Sequence, residues 1–361
     1  MANTHKALIA MSGGVDSSVA ALLTKEKGYE CIGCTMRLYA NEDAGIADGK
    51  TCCSLDDVED ARSVATGLGM KFYAFNMMED FRDRVIGSFI DCYEHGQTPN
   101  PCIECNRYLK FQRLYERAEA LGCDKLVTGH YARIDFKDGR YRLLKSLDES
   151  KDQSYVLYTL TQTQLAHTEF PLGGLTKTET RSIAEEHGFV NSQKPDSQDI
   201  CFVPDGDYAA AIRRMTGREY PDGDFVDQKG NVLGRHKGII NYTVGQRRGL
   251  GVPAAERLYV CSIDAKSNRI VLGPYEETLI TEILADDVNW ISNPPDSRGI
   301  HCTVRSRYHQ KEQPAMVCPT GNGQVRIIYD APQRCASPGQ AVVFYEGDVV
   351  LGGGKIIQTK R

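Results

Sequence analysis

The chain has 361 residues, more than one hydrophobic core usually serves, so two or three domains are expected. It is 41% hydrophobic yet has no run of about 18 apolar residues, which excludes a membrane-spanning helix. The net charge is −5, but residues 213–257 hold nine Lys and Arg against five Asp and Glu, and residues 301–361 hold eight against four. An acidic body with two basic regions is expected to meet a polyanion on one side. The start, Met1-Ala2-Asn3-Thr4-His5-Lys6, lacks the pattern of a secretory signal, so the thirteen cysteines are expected in a reducing, cytoplasmic setting. There a few thiols do chemistry and most are packed.

The first element is the apolar run Ala7-Leu8-Ile9-Ala10-Met11, a buried strand. Ser12-Gly13-Gly14-Val15-Asp16-Ser17-Ser18 follows, and Val19-Ala20-Ala21-Leu22-Leu23 begins a helix that ends at Gly28. A strand, a glycine turn and a helix start place backbone N–H groups around an anion, which suits phosphate. No Gly-Lys-Ser/Thr is present, so this is not the Walker A loop. The turn resembles the PP-loop, SGGxDS, of enzymes that split ATP between its α- and β-phosphates.

Residues 29–39 read as a second strand. Cys31 and Cys34 lie three apart on it and face opposite sides, so they are expected to be core thiols. Met36, near the strand's end, is placed to lie against an adenine or in the core. Cys52-Cys53 open a polar stretch, Asp56 to Leu68 reads as a helix, and Lys71 to Phe75 as a third strand. Alternation of strand and helix without hairpin signals predicts a parallel sheet covered on both faces, with ligands at the carboxyl ends of its strands.

Thr98-Pro99-Asn100-Pro101-Cys102-Ile103-Glu104-Cys105-Asn106 is expected to be a rigid, non-helical entry to a helix carrying Phe111, Leu114, Ala118 and Leu121. On a helical wheel Lys110, Arg113 and Arg117 form a stripe. Cys105 is thus expected near a helix N-terminus among cations, a setting that lowers a thiol pKa. Lys125 to Ala132 reads as a strand running into a turn at Gly129, with His130 a polar residue at its end. Lys151-Asp152-Gln153-Ser154-Tyr155 precedes the apolar Val156, Leu157 and Leu160. Thr176-Lys177-Thr178-Glu179 is a capping box for a helix stopped by Gly188.

Asp196-Ser197-Gln198-Asp199-Ile200-Cys201-Phe202 offers Cys201 as a partner for Cys105. From about residue 206 short strands and frequent Gly, Pro and Asp replace the alternation, and Thr243-Val244-Gly245-Gln246-Arg247-Arg248-Gly249 is a basic turn suited to phosphate. From about residue 280 the pattern is all-β, with runs such as Cys302–Arg305, Gln324–Ile328 and Ala341–Tyr345, and reads as a small closed barrel.

Taken in order, SGGVDSS, TPNPCIECN, TGHYAR, KDQSY, DSQDICF, TVGQRRGLG and PGQAVVFY resemble the bacterial tRNA-specific 2-thiouridylases over nearly the whole chain. The resemblance implies an α/β PP-loop domain with a parallel sheet (residues 1–205), a small central β-rich domain (206–279) and a C-terminal β-barrel (280–361). It implies a sulfurtransferase that uses ATP and Mg²⁺ to thiolate C2 of the wobble uridine in tRNAs for Lys, Glu and Gln. Ala10, Met11, Ser12, Gly13, Gly14, Val15, Asp16 and Ser17, with Met36 and Gly129, would hold ATP, and no resident metal site is expected.

Cys105 would be the first catalytic cysteine and Cys201 the carrier of the persulfide, loaded by a sulfur donor protein. Asn100, Pro101 and Cys102 would touch the target base. His130, Lys151, Asp152, Gln153, Arg307, Tyr308 and Gln340 would contact tRNA. Cys102 stands where many members have Asp. A monomer with no membrane partner is expected. Another class of PP-loop thiolase offers an alternative, in which Cys102, Cys105 and Cys201 ligate a [4Fe–4S] cluster. A non-catalytic RNA-binding protein would not need the PP-loop, and a small-molecule synthetase would not need Cys105 and Cys201.

Overall fold

The structure is a computed structural model that describes residues 5–39, 55–195 and 200–361. The Cys52-Cys53 pair and residues 196–199 of the DSQDICF motif lie outside the described residues. The chain forms two compact units. The first comprises Met1–Val85, Cys102–Asp207 and Asp348–Val350, and the second Ile86–Pro101, Tyr208–Gly347 and Leu351–Arg361.

In the first unit five strands form a parallel sheet: β1 (Lys6–Ala10), β2 (Glu30–Arg37), β3 (Lys71–Asn76), β4 (Lys125–Thr128) and, beyond a hairpin, β7 (Thr168–Glu169). Their spatial order is β3-β2-β1-β4-β7. Ala7, Leu8 and Ile9 are all fully buried. Three successive buried residues mean that both faces of β1 are covered, which is why its sequence is an unbroken apolar run. The helix Val15–Glu26 buries Val19, Ala20, Ala21 and Leu22. From β1 the chain builds outward through β2 and β3, then returns to add β4 and β7 on the other side. The carboxyl ends of β1 and β4 therefore flank the topological switch point, where open α/β sheets bind ligands.

Two local expectations are corrected here. First, β4 ends at Thr128 and a hairpin follows, β5 (Ala132–Lys137) and β6 (Arg140–Lys145). Its turn is Asp138-Gly139, with φ of 53° and 78°. That is the primed two-residue turn that Asp-Gly favours, because it matches the strands' twist. Second, the stretch from Pro101 is helical at once. Pro101–Glu104 is α-helical, Cys105–Arg113 is wound as a π-helix, and Leu114–Ala120 is α-helical again. Proline at a helix's first position loses only an N–H that has no intrahelical acceptor there, so Pro101 starts the helix and does not delay it.

In the second unit a four-stranded sheet has the order β10-β11-β8-β9, from β8 (Gly223–Val226), β9 (Val232–His236), β10 (Tyr259–Asp264) and β11 (Arg269–Gly273). Six more strands follow: β12 (Leu279–Trp290), β13 (Ile300–Arg305), β14 (Gln313–Pro319), β15 (Val325–Arg334), β16 (Ala341–Glu346) and β17 (Val349–Lys360). They run β12-β15-β14-β13-β16-β17, and β12 pairs with β17 to close a barrel. Ile283, Val304, Val317, Ile327 and Val343 are fully buried in it. The fold class is as expected. Ile86–Pro101 belongs to the second compact unit. Its aromatic residues explain why: Phe89 and Tyr93 pack on Tyr208 at 6.1 and 6.2 Å between ring centres. Among the described residues no helix is long and apolar enough to cross a membrane.

Candidate active site

The glycine turn joins β1 to the helix Val15–Glu26. Gly13 has φ +78°, a conformation that favours glycine, and a Cβ there would lie 2.8 Å from the Asp57 Cα. Gly14 is the helix N-cap and makes no side-chain capping bond, so no side-chain acceptor on that residue caps the first turn. Ser12 N–H donates to Ser17 Oγ at 3.1 Å, and the Ser17 and Ser18 hydroxyls donate to the Gly14 carbonyl at 3.0 and 3.1 Å. Met36 is half-buried near the end of β2, the neighbour of β1. Gly129 follows β4 directly. A Cβ on it would lie 2.8 Å from Asp16 C and Ser17 N, so this glycine lets the end of β4 approach the start of the helix.

Asp16 sits in a network that its motif did not reveal. Lys177 Nζ donates to both its carboxylate oxygens, at 2.7 and 2.8 Å. The Tyr131 hydroxyl donates to the same carboxylate at 2.9 Å. The Tyr131 backbone is held in turn by Gln153: its N–H donates to Gln153 Oε1 at 3.0 Å, and its carbonyl accepts from Gln153 N–H at 2.9 Å. Lys177 is the first residue of the helix Lys177–Glu186, whose capping box Thr176–Glu179 forms as expected. A cation at a helix N-terminus opposes the helix dipole. The Asp16 carboxylate offsets that.

A second set of bonds ties the segment before Cys201 to the turn. Asn191 Nδ2 donates to the Gly13 carbonyl and to Ser18 Oγ, both at 2.9 Å. Lys194 pairs with the buried Asp57, and with Asp60 at 2.9 Å. Beyond the undescribed stretch, the Cys201 carbonyl accepts from the Tyr39 hydroxyl at 2.7 Å. Phe202 is buried, with its ring 5.6 Å from that of Phe81. Sequence spacing carries no signal for Asn191, Lys194 or Lys177, because each acts across more than a hundred residues.

Cys102 is exposed, while Cys105 and Cys201 are half-buried. The expected cationic setting of Cys105 is corrected. Cys105 closes the helix's first turn, where the dipole's effect is already fading. Of the stripe, Arg113 is paired with Asp80 at 3.1 Å and Glu116 at 3.2 Å, and Arg117 lies over the Phe75 ring. Burial pushes the Cys105 thiol up, and Lys110 is the charge that opposes it. Cys31 and Cys34 are buried, and burial pushes Cys31 up to about 11 and Cys34 higher still. Both are inert core thiols at neutral pH. Among the described residues, which include Cys102, Cys105 and Cys201, no three His, Cys, Asp or Glu side chains gather as a metal ion requires.

The residues expected to contact tRNA divide in two. Asp152 and His130 are buried. Asp152 accepts from the N–H groups of Ser146 and Ser154, both at 3.2 Å, and Gln153 clamps Tyr131. These side chains face inward, whereas Lys151 is half-exposed. In the second unit Gln340 Nε2 donates to the Pro99 carbonyl at 3.2 Å, and Thr98 N–H donates to the Pro338 carbonyl at 2.8 Å. The stretch leading to Asn100 and Pro101 is thereby sewn to the turn that carries Gln340. Arg307 donates to the carbonyls of Cys335 and Val244 and lies against Gly245, and Tyr308 next to it is half-exposed. Arg247 and Arg248 are exposed.

Three family models match the chain. Residues 5–205 match the tRNA methyl transferase HUP domain, 212–274 the tRNA methyl transferase PRC-barrel domain, and 280–356 the aminomethyltransferase beta-barrel domain. A tRNA-specific 2-thiouridylase MnmA of Clostridioides difficile (strain 630) is 48% identical over 353 residues, covering 97% of this chain and 98% of the relative. One from Acetivibrio thermocellus is 48% identical over 97% of this chain and 99% of its own length. The tRNA-specific 2-thiouridylase MnmA 1 of Thermoanaerobacter pseudethanolicus is 47% identical over the full length of both.

Proposed function

The chain belongs to the tRNA-specific 2-thiouridylase family, and on that premise we propose how its residues divide the work of an ATP-dependent tRNA-uridine sulfurtransferase. The observation that carries the reading is the glycine turn: it lies at the carboxyl end of β1, at the switch point of the parallel sheet, and has no side-chain cap. Uracil O2 is a poor leaving group. ATP remedies this when O2 attacks the α-phosphorus, pyrophosphate departs, and O2 becomes part of AMP. Ala10 to Ser17, with Met36 and Gly129, hold the nucleotide, and the turn's N–H groups meet the charge that moves onto pyrophosphate.

Mg²⁺ is expected to come with the nucleotide. Lys177 engages both Asp16 oxygens, and among the described residues no three His, Cys, Asp or Glu side chains gather as a metal site. Bonded by Lys177 and Tyr131, Asp16 would hold the loop's shape.

Sulfur arrives as a persulfide on Cys201, loaded by a donor protein. The Cys105 thiolate attacks the inner sulfur, a Cys105–Cys201 disulfide forms, and hydrosulfide is released to displace AMP from C2. The disulfide is reduced before the next cycle. Asn100, Pro101 and Cys102 contact the wobble uridine, which leaves its stack to be reached. The substrate set is tRNA for Lys, Glu and Gln, docked with help from Lys151, Arg307, Tyr308 and Gln340, while His130 and Asp152 are buried and Gln153 clamps Tyr131. The protein works as a cytoplasmic monomer with domains at 1–205, 206–279 and 280–361.

The purified protein, given unmodified tRNA, ATP and a persulfide source, should form 2-thiouridine at the wobble position and release pyrophosphate in step. Mass spectrometry of the digested tRNA reads the product. Absence of 2-thiouridine, or its formation without ATP, overturns the reading, and strict dependence on iron would transfer it to the cluster chemistry.

A further inference from the structure

Lys110 is one turn above Cys105 because that turn is π-wound. In a π-helix the N–H of residue i+5 meets the carbonyl of residue i, and Cys105–Arg113 is such a segment. An α-helix would put Leu109 above Cys105 and carry Lys110 round to another face. In the π-winding Leu109 is fully buried instead.

Lys110 is also held. Its Nζ lies 3.4 Å from His130 Nε2, and His130 Nδ1 lies 2.6 Å from Thr128 Oγ1. Thr128 ends β4, and both it and His130 are buried. The rings of Phe111 and Phe170 wall the imidazole at 5.9 and 5.8 Å. Burial, and then the Lys110 charge, hold His130 well below its ordinary pKa, so the ring is neutral at pH 7. A neutral imidazole has one donor and one acceptor, and an ammonium can only donate. Nε2 therefore accepts from Lys110, and Nδ1–H donates to Thr128 Oγ1. The tautomer is fixed, and the lysine's charge is fixed with it.

We propose that Lys110, held by His130 and Thr128, is a positioning residue whose charge stabilises the Cys105 thiolate. The proposal rests on Cys105 as the attacking thiol in the function proposed above. In that step the Cys105 proton goes first to solvent. The thiolate then attacks the inner sulfur of the Cys201 persulfide, the Cys105–Cys201 bond forms, the persulfide S–S bond breaks, and hydrosulfide leaves with its electron pair. Lys110 remains an ammonium throughout and transfers no proton.

The test is the alkylation rate of Cys105 by iodoacetamide as a function of pH, read peptide by peptide in the full-length protein. Lys110→Met should slow alkylation at pH 7 about tenfold, the equivalent of one pKa unit. Lys110→Arg should restore most of the rate. His130→Leu, which leaves Lys110 in place but releases it, should slow it in the same direction, and it carries the test if the methionine variant does not fold. A wild-type pH profile in the methionine variant, or in His130→Leu, would overturn the proposal. Alkylation needs neither tRNA nor ATP. The role of Cys105 in sulfur transfer is read separately, by 2-thiouridine formation in Cys105→Ser, so the two can fail independently.

Discussion

Asp16 and Lys177 are joined across the nucleotide-binding turn, with one ammonium bonded to both carboxylate oxygens. The Lys177 side chain is only 12% exposed. Removing its partner leaves a nearly buried cation at the positive end of a helix. Asp16→Ala should lower stability by about 2 kcal/mol and abolish pyrophosphate release, with tRNA affinity nearly intact. Thermal melts and release of labelled pyrophosphate check this. Normal release would mean that the aspartate does not shape the turn.

Gly129→Ala places a methyl group 2.8 Å from the backbone of Asp16 and Ser17, neither of which is a flexible side-chain end. The strain should cost about 1–3 kcal/mol, or else the helix start moves. Either result should raise the KM for ATP while leaving tRNA binding unchanged, as ATP titration would show. A variant with wild-type melting temperature and KM would contradict the packing described here.

The cysteines should separate by role. Cys201→Ser should lose all thiolation, because the persulfide has no carrier. Cys105→Ser should still load a persulfide on Cys201 but should not release its sulfur. Cys102→Ser should slow the reaction yet leave a Cys105–Cys201 disulfide detectable by mass spectrometry after one turnover. If it instead stops catalysis together with loss of bound iron, the cluster chemistry holds.

The arginines of the second unit should also divide. Arg247 and Arg248 are exposed, and each change to Ala should lower the salt slope of tRNA binding by roughly 0.7–0.9. Arg307 bonds two backbone carbonyls, so Arg307→Ala should lower the melting temperature as well as affinity. Fluorescence titrations between 50 and 200 mM salt would read the slopes. An unchanged slope in the Arg247 and Arg248 variants would place that turn away from RNA.

Local physics was legible in the sequence wherever it was decided by neighbours. The buried run Ala7–Met11, the glycine turn, the capping box at Thr176 and the barrel strands each depend on a few adjacent residues, and each stands in the structure as read. The Asp138-Gly139 hairpin is equally local, with Asp-Gly joining the short, charge-rich runs Ala132–Lys137 and Arg140–Lys145. What could not be read was long-range or conformational. Asp152 and Gln153 turn inward because Ser146, Ser154 and Tyr131 need acceptors, a fact set by folding and not by spacing. A stripe of Lys110, Arg113 and Arg117 requires 3.6 residues per turn, and the helix there is wound differently.

That winding makes the helix sensitive to length in a way that no substitution would reveal. A π-wound stretch accommodates more residues per turn than its α-helical flanks. Deleting a single residue between Cys105 and Lys110 would let it relax toward regular winding, with each position beyond the deletion displaced by about 100° relative to those before it. The helix would survive, and so would its composition, but Lys110 would no longer stand over Cys105. In this segment the number of residues is itself a functional specification, and an insertion or deletion would do more harm than most exchanges of one side chain for another.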